Sequence, residues 1–154
     1  MLFRSTKPVS VWMERRAIEN RWVSHQWRAA AVVSPDDGAA GAPDWQRFEG
    51  FELSLHRDEA EGYYLNTSTA DPQAFVMWRL EGDGDDAKAR PMLVTLSYNE
   101  AARLMDAQEK VDAVPLPAHL RDWLESYVAE NYRPEPKKKR ARASFVAPRD
   151  KGRL

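Results

Sequence analysis

Hydrophobic and polar residues alternate with a period of two along much of the first hundred residues. Val9, Val11 and Met13 alternate with Ser10 and Trp12, a pattern typical of a strand with one buried face. The pattern predicts further strands at 27–33, 51–55, 63–67, 75–80 and 92–96. Almost every residue of 75–80 is apolar, which is typical of a central strand. Between the last two strands, residues 81–90 form an acidic stretch that predicts a hairpin loop.

The spacing of apolar residues becomes helical after residue 97. Ser97-Tyr98-Asn99-Glu100 fits a capping box, which marks a helix start. After an apolar linker at 111–116, Pro117 suits the first turn of a second helix. One apolar stripe follows at helical spacing: Leu120, Trp123, Leu124, Tyr127 and Val128. The sequence therefore predicts an α+β fold, in which an antiparallel sheet of five to six short strands is followed by two C-terminal helices packed on it.

Charge divides the 154 residues into two unequal parts. Residues 133–154 hold nine basic and two acidic residues, a net charge of +7, whereas residues 1–132 hold 14 basic and 22 acidic residues, a net charge of −8. We therefore predict one α+β domain at 1–132 and a basic, proline-containing arm at 133–154 that is disordered in isolation. The densest charge of this arm lies at Lys137, Lys138, Lys139, Arg140 and Arg142.

Several function classes lose support from composition and motifs. Cysteine is absent, which excludes disulfides, cysteine zinc sites, iron–sulfur ligation and cysteine nucleophiles. The chain contains neither G-x-G-x-x-G nor G-x-x-x-x-G-K-[ST], the glycine-rich motifs that bind phosphate groups. It also has no G-x-S-x-G motif, which holds the nucleophilic serine of many hydrolases. No apolar run approaches the ~18 residues of a membrane helix, and the first 17 residues contain no signal-peptide core. We expect a cytoplasmic protein with no membrane partner, metal or cofactor.

The most suggestive group for acid–base or metal chemistry is His56 with Arg57, Asp58 and Glu59. A catalytic or metal site needs several such groups to converge. Nothing pairs His56 with His25 at a diagnostic spacing, so a structural role is favoured. An enzyme with an unrecognised site around His56 stays open as an alternative.

Six tryptophans are present, and four of them differ in their surroundings. Trp78 and Trp123 lie within apolar patterns, which predicts that they belong to the core. Trp22 and Trp27 instead flank a histidine and follow three arginines. Tryptophan and arginine dominate protein-binding hot spots, although solvated arginines beside a small second core would give the same pattern. The candidate partner-binding residues are Arg15, Arg16, Arg21, Trp22, Trp27, His56 and Arg57.

Several blocks of the sequence resemble an uncharacterised bacterial family, domain of unknown function 3305. The blocks are Met13-Glu14-Arg15-Arg16, Asn20-Arg21-Trp22, His25 with Trp27, residues 55–66, residues 94–103, Val114-Pro115-Leu116-Pro117 and residues 132–139. Their common order over about Val9 to Lys139 makes the resemblance specific. Genes of this family tend to lie near those of molybdenum-dependent formate dehydrogenases. The resemblance therefore implies a role near the assembly or use of that enzyme, and it supplies no active site. Together with the missing catalytic motifs and the grouped tryptophans and arginines, it leads to the hypothesis of a non-catalytic accessory or assembly protein that binds a subunit or maturation factor of that enzyme.

The basic arm at 133–154 suggests a second class of partner. Clustered lysine and arginine can bind nucleic acid by neutralising phosphates. The acidic remainder of the chain lacks a recognisable nucleic-acid-binding signature. Protein binding is therefore the leading hypothesis, and nucleic-acid binding through the arm is the alternative. For the arm itself, docking to an acidic partner protein and a tail that only aids solubility also stay open.

Overall fold

A computed structural model describes residues 5–22 and 24–134. Within these residues the chain forms six strands and three α-helices. In chain order they are β1 (Thr6–Ala17), β2 (His25–Val33), β3 (Trp45–Ser54), α1 (Ala60–Thr67), β4 (Gln73–Glu81), β5 (Lys88–Thr95), α2 (Tyr98–Asp106), β6 (Lys110–Pro115) and α3 (Ala118–Asn131). The α+β class is confirmed. The described part contains no helix long and apolar enough to cross a membrane.

The six strands form two sheets, so the prediction of one sheet of five to six strands is wrong in its grouping. Both sheets have three antiparallel strands, in the orders β2-β1-β3 and β5-β4-β6. The residues at 75–80 do form a central strand, because β4 pairs on both sides. Alternation shows that a strand has one buried face, but it does not show which other strand the backbone will pair with.

A helix replaces one predicted strand. Residues 63–67 belong to α1, where Tyr63 and Asn66 are buried three positions apart together with Ala60 and Gly62. The Asn66 amide donates to the carbonyl oxygens of Gln73 and Leu96 at 2.7 and 3.0 Å. Both acceptors lie outside residues 63–67, so the sequence of this segment does not reveal them. An alternation of only five residues is compatible with the period of a strand and with that of a helix.

A strand also replaces the predicted linker at 111–116. These residues lie largely in β6, where Val111 is opposite Met77 and Val114 is opposite Ala74. The chain between the two predicted C-terminal helices therefore forms an edge strand of the β5-β4-β6 sheet. The two helices themselves are present as α2 and α3, and α1 is additional.

Both sheets and α3 share one hydrophobic core. Val9, Val11 and Met13 from β1 are fully buried, and β4 contributes Val76 and Trp78. From α3, the buried side of the predicted stripe joins them: Leu120, Trp123, Leu124 and Tyr127. The prediction that Trp78 and Trp123 are core residues is confirmed by exposed fractions of 7% and 8%.

The predicted capping box forms only in part. Ser97 caps α2, since its Oγ accepts the Glu100 N–H at 3.0 Å. The Glu100 carboxylate accepts the Thr95 hydroxyl instead of the Ser97 N–H, because the same Thr95 oxygen already accepts that N–H at 3.1 Å.

The predicted arm lies outside the described residues, except for Arg133 and Pro134. Its most basic part lies outside them as well: Lys137, Lys138, Lys139, Arg140 and Arg142.

Candidate functional site

A cleft of about 540 Å³ lies where β2, from the first sheet, meets the second sheet. Its wall includes Arg16, His25, Trp27, Trp78, Lys110 and Asp112. A volume of this size lies within the range of small-molecule sites in proteins. We refer to this cavity as the cleft.

Both tryptophans of the cleft are held by hydrogen bonds from their indole nitrogens. Trp27 Nε1 donates to the carbonyl oxygen of Ala87 at 3.1 Å. Trp78 Nε1 donates to Asp112 Oδ2 at 2.8 Å. Because each indole is fixed at its polar atom, the positions of its apolar surfaces are fixed as well. Lys110 Nζ lies 5.7 Å from the centroid of the Trp78 ring, within the range of a cation–π contact.

Asp112 links the two sheets at the cleft. In addition to the indole of Trp78, its Oδ2 accepts the backbone N–H of Ala29 from β2 at 2.9 Å. The two donors come from different sheets and meet at one carboxylate oxygen. Hydrogen bonds to a charged acceptor are stronger than neutral ones, so this atom joins the two sheets at the cleft.

The other end of the cleft holds a second carboxylate, Asp85, in the β4–β5 loop. Its Oδ1 accepts the backbone N–H of Ser24 at 3.0 Å. Hydrogen bonds from Ser24 lower the pKa of Asp85, and the nearby Arg15 lowers it further. Asp85 is therefore ionised at neutral pH and ties the β4–β5 loop to the loop that precedes β2.

His25 is oriented by two neighbours. Arg15 Nη2 lies 3.0 Å from His25 Nδ1, and Ser24 Oγ lies 2.7 Å from the same nitrogen. A guanidinium can only donate, so Nδ1 is an acceptor and the ring proton is assigned to Nε2. That nitrogen is the ring atom left to donate to another group.

Five of the predicted partner-binding residues lie on the β1–β2 hairpin. Arg16 and Trp27 line the cleft, and Arg15 is opposite Trp27 in the strand register. Arg21 and Trp22 lie in the connecting loop, where the Arg21 guanidinium is 5.7 Å from the centroid of the Trp22 ring. Trp22 is 80% exposed. We refer to these five residues, Arg15, Arg16, Arg21, Trp22 and Trp27, as the hairpin surface.

The other two candidates, His56 and Arg57, lie apart from the hairpin surface. They are exposed and border an open cavity of about 650 Å³ beside the end of α3. Their neighbour Glu59 has a structural role, since it accepts the Ser97 hydroxyl at 2.6 Å and pairs with Arg103. The exposed turn argues against an enzyme site here. Across the described residues, no three carboxylate or imidazole side chains converge as metal ligands.

Sequence reasoning missed the contribution of β6 to the cleft. Lys110 and Asp112 lie at its start, in a stretch that we interpreted as a linker. One signal was available, since Asp112 stands between Val111 and Ala113 in an apolar run. A carboxylate in such a run is uncommon unless it has a partner.

Comparison with known proteins gives one match. A family model with the description "Protein of unknown function (DUF3305)" matches residues 8–141. No curated protein and no solved structure matches the chain.

Proposed function

This chain belongs to the DUF3305 family, and from that premise we propose that it is a non-catalytic accessory protein that binds a partner protein through the hairpin surface. The observation that carries the proposal is the exposure of Trp22, which leaves 80% of its surface in water. An indole is among the largest apolar groups that a protein can bury at an interface.

Trp22 is presented in an ordered turn. Its backbone N–H donates to Asn20 Oδ1 at 2.7 Å, an Asx turn that restrains the loop. Arg21 lies over the indole ring. A cation–π contact of this kind becomes stronger when a partner removes water from it, so the pair supports a binding hot spot.

The charges beside Trp22 indicate the chemistry of the partner. Arg15, Arg16 and Arg21 place three guanidinium groups on one hairpin, whereas the nearby Glu14 is already paired with Arg28 at 2.5 Å. Complementary charge increases the association rate and selects partners. We therefore propose a partner surface with an apolar pocket for Trp22 and carboxylates around it.

The family resemblance suggests which partner to test first. It is a subunit or maturation factor of a molybdenum-dependent formate dehydrogenase, encountered in the cytoplasm. Nucleic-acid binding would depend on residues 133–154, nearly all of which lie outside the described residues, and no contact described here favours it.

Affinity capture from a native cell extract, followed by mass spectrometry, tests the proposal. The baits are the full chain, Trp22→Ala and the control Met105→Ala, which removes another apolar side chain that is 50% exposed. We expect the full chain and the control to enrich the same partner. With that partner purified, Trp22→Ala should raise the Kd about 30-fold, since hot-spot residues contribute about 2 kcal/mol or more.

The melting temperature of Trp22→Ala should stay close to that of the full chain, because exposed residues contribute little to folding stability. Equal binding by Trp22→Ala and the full chain would contradict the proposal. So would a failure to recover any partner, together with unchanged formate dehydrogenase activity in a deletion strain.

A further inference from the structure

We propose that the cleft binds a small aromatic anion, a planar ring system that carries a phosphate or carboxylate group. The cleft shares Arg16 and Trp27 with the hairpin surface but does not include Trp22, and the proposal does not depend on the proposed protein partner. The cavity volume of about 540 Å³ accommodates a molecule of mononucleotide size.

The planar part of the ligand is indicated by the indole of Trp27, which lies beside the buried Trp78. Trp27 is half-buried and Trp78 is 7% exposed, and both line the cavity. Because each indole N–H is already bonded within the protein, neither ring donates a hydrogen bond to a ligand. Trp27 offers its partly exposed ring at a fixed position, which suits contact with another aromatic ring. Trp78 contributes to the wall of the cavity, with Lys110 over its ring.

The anionic part is indicated by which charges are already paired. Asp112 Oδ2 accepts two N–H groups, and Asp85 Oδ1 accepts one. Arg16 and Lys110 line the same cavity, and neither forms an ion pair with another described residue. Among the described residues, the cleft therefore has two cations without an ion-pair partner, one of which, Lys110, lies over the Trp78 ring. Its carboxylates already accept N–H groups, which favours a ligand with negative charge.

His25 adds a neutral donor to this set. Its Nδ1 is engaged by Arg15 and Ser24, which leaves Nε2–H for a phosphate or carboxylate oxygen. A phosphate offers several acceptor oxygens and can bind a guanidinium, an ammonium and an imidazole N–H together. The fixed His25 ring reduces the entropy lost when the ligand binds.

Nuclear magnetic resonance of the full, ¹⁵N-labelled chain tests the proposal. The indole N–H signals are assigned with Trp27→Phe and Trp78→Phe. The probes are AMP, 2-naphthoate, adenosine and inorganic phosphate. We expect AMP or 2-naphthoate to shift both indole signals with saturation, and the two arms distinguish phosphate from carboxylate. Adenosine and inorganic phosphate should each bind about tenfold more weakly, since each lacks one half of the ligand.

Two matched variants locate the site. Lys110→Ala should weaken binding of the better probe about five- to tenfold, whereas Lys88→Ala should leave it unchanged, because exposed Lys88 lies outside the cleft. Binding should also persist in Trp22→Ala, because Trp22 belongs to the hairpin surface but does not line the cleft. The proposal is overturned if neither aromatic anion gives saturable shifts up to about 10 mM, if adenosine binds as tightly as AMP, or if Lys110→Ala binds like the full chain.

Discussion

At the scale of single residues, Tyr63 shows how one polar atom is used within the core. Its ring is buried and meets the edge of Tyr127 at a centroid distance of 5.9 Å. Its hydroxyl oxygen accepts the backbone N–H of His56 at 3.0 Å. Burial raises the pKa of Tyr63 from 10.0 to about 12, and the bond from His56 offsets only part of that rise. Tyr63 is therefore a neutral structural group that positions the turn leading into α1.

The raised pKa of Tyr63 predicts a loss of stability at high pH. The unfolded chain loses this proton near pH 10 and the folded chain near pH 12. The contribution is therefore fully present below pH 10 and is lost as the pH rises towards 12. We expect the free energy of unfolding to fall by about 2 kcal/mol more in the wild-type chain than in Tyr63→Phe across this interval.

Urea unfolding curves of both proteins at pH 9, 10, 11 and 12 measure this difference. Other titrating groups are common to the two chains and cancel in the comparison. At pH 7, Tyr63→Phe should cost about 1–2 kcal/mol, since the His56 N–H loses its acceptor. A constant difference from pH 9 to 12 would contradict the expectation.

At the scale of the elements, the contact between α1 and the start of α2 depends on a missing side chain. Gly62 faces Ser97, and a Cβ on Gly62 would lie 2.1 Å from Ser97 Oγ. That oxygen caps α2 and also donates to Glu59, so it cannot rotate away without losing both bonds. The closeness of the two helices therefore requires glycine at this position.

This contact predicts that Gly62→Ala destabilises the protein, although replacing glycine by alanine in a helix is usually stabilising. In an exposed helix, alanine is more favourable than glycine by about 1 kcal/mol. Here we expect a net destabilisation of about 1–3 kcal/mol, because the added methyl group overpacks the contact and displaces the cap. Gly38→Ala is the control, since nothing lies within 4 Å of its added Cβ. Thermal unfolding of both variants gives the comparison, and a Gly62→Ala protein that melts at or above the wild-type temperature would refute this account.

The elements also show what the sequence can predict. Alternation located a part of each strand from β1 to β5, and the stripe from Leu120 to Val128 located α3, because these patterns are local consequences of one-sided burial. The prediction from alternation is wrong for residues 63–67, because the burial of Gly62 and Asn66 depends on contacts with the start of α2 and with β4. It also failed for β6, which becomes a strand by pairing with β4.

One part of the candidate site could be predicted from the sequence, and the other part could not. The hairpin surface was predictable because Arg15, Arg21, Trp22 and Trp27 are close in sequence and a hairpin keeps them close in space. The cleft was not, since Lys110 and Asp112 reach it through the packing of one sheet on the other. No local pattern encodes that packing.

At the scale of the whole molecule, the two sheets are joined by polar bonds as well as by the core. Asp112 accepts from Ala29 in the first sheet and from Trp78 in the second. Trp27 and Ser24 donate to the β4–β5 loop at Ala87 and Asp85. These bonds set the relative position of the sheets more narrowly than apolar packing, which has no directional preference.

Replacing Asp112 tests the importance of this link. Asp112→Ala should destabilise the protein by about 2–4 kcal/mol, because the Ala29 and Trp78 N–H groups both lose their acceptor. Asp112→Asn should cost about 1 kcal/mol, since its amide oxygen can still accept. Asp106→Ala, which removes an exposed carboxylate from α2, should change stability by about 0.5 kcal/mol or less. Urea unfolding at pH 7 ranks the three, and an Asp112→Ala protein as stable as the control would rule out the link.

The bonds at the cleft also determine when it can form during synthesis. They join residues that are 60, 61 and 83 positions apart, whereas β1, β2 and β3 lie within the first 54 residues. The ribosome adds about 5–20 residues per second, so roughly 4–15 s separate the completion of β3 from that of α3. During that interval the apolar face of β1 lacks its cover. The nascent first sheet is therefore the stage at which a chaperone would recognise this protein, and the cleft can form only after Asp112 has been synthesised.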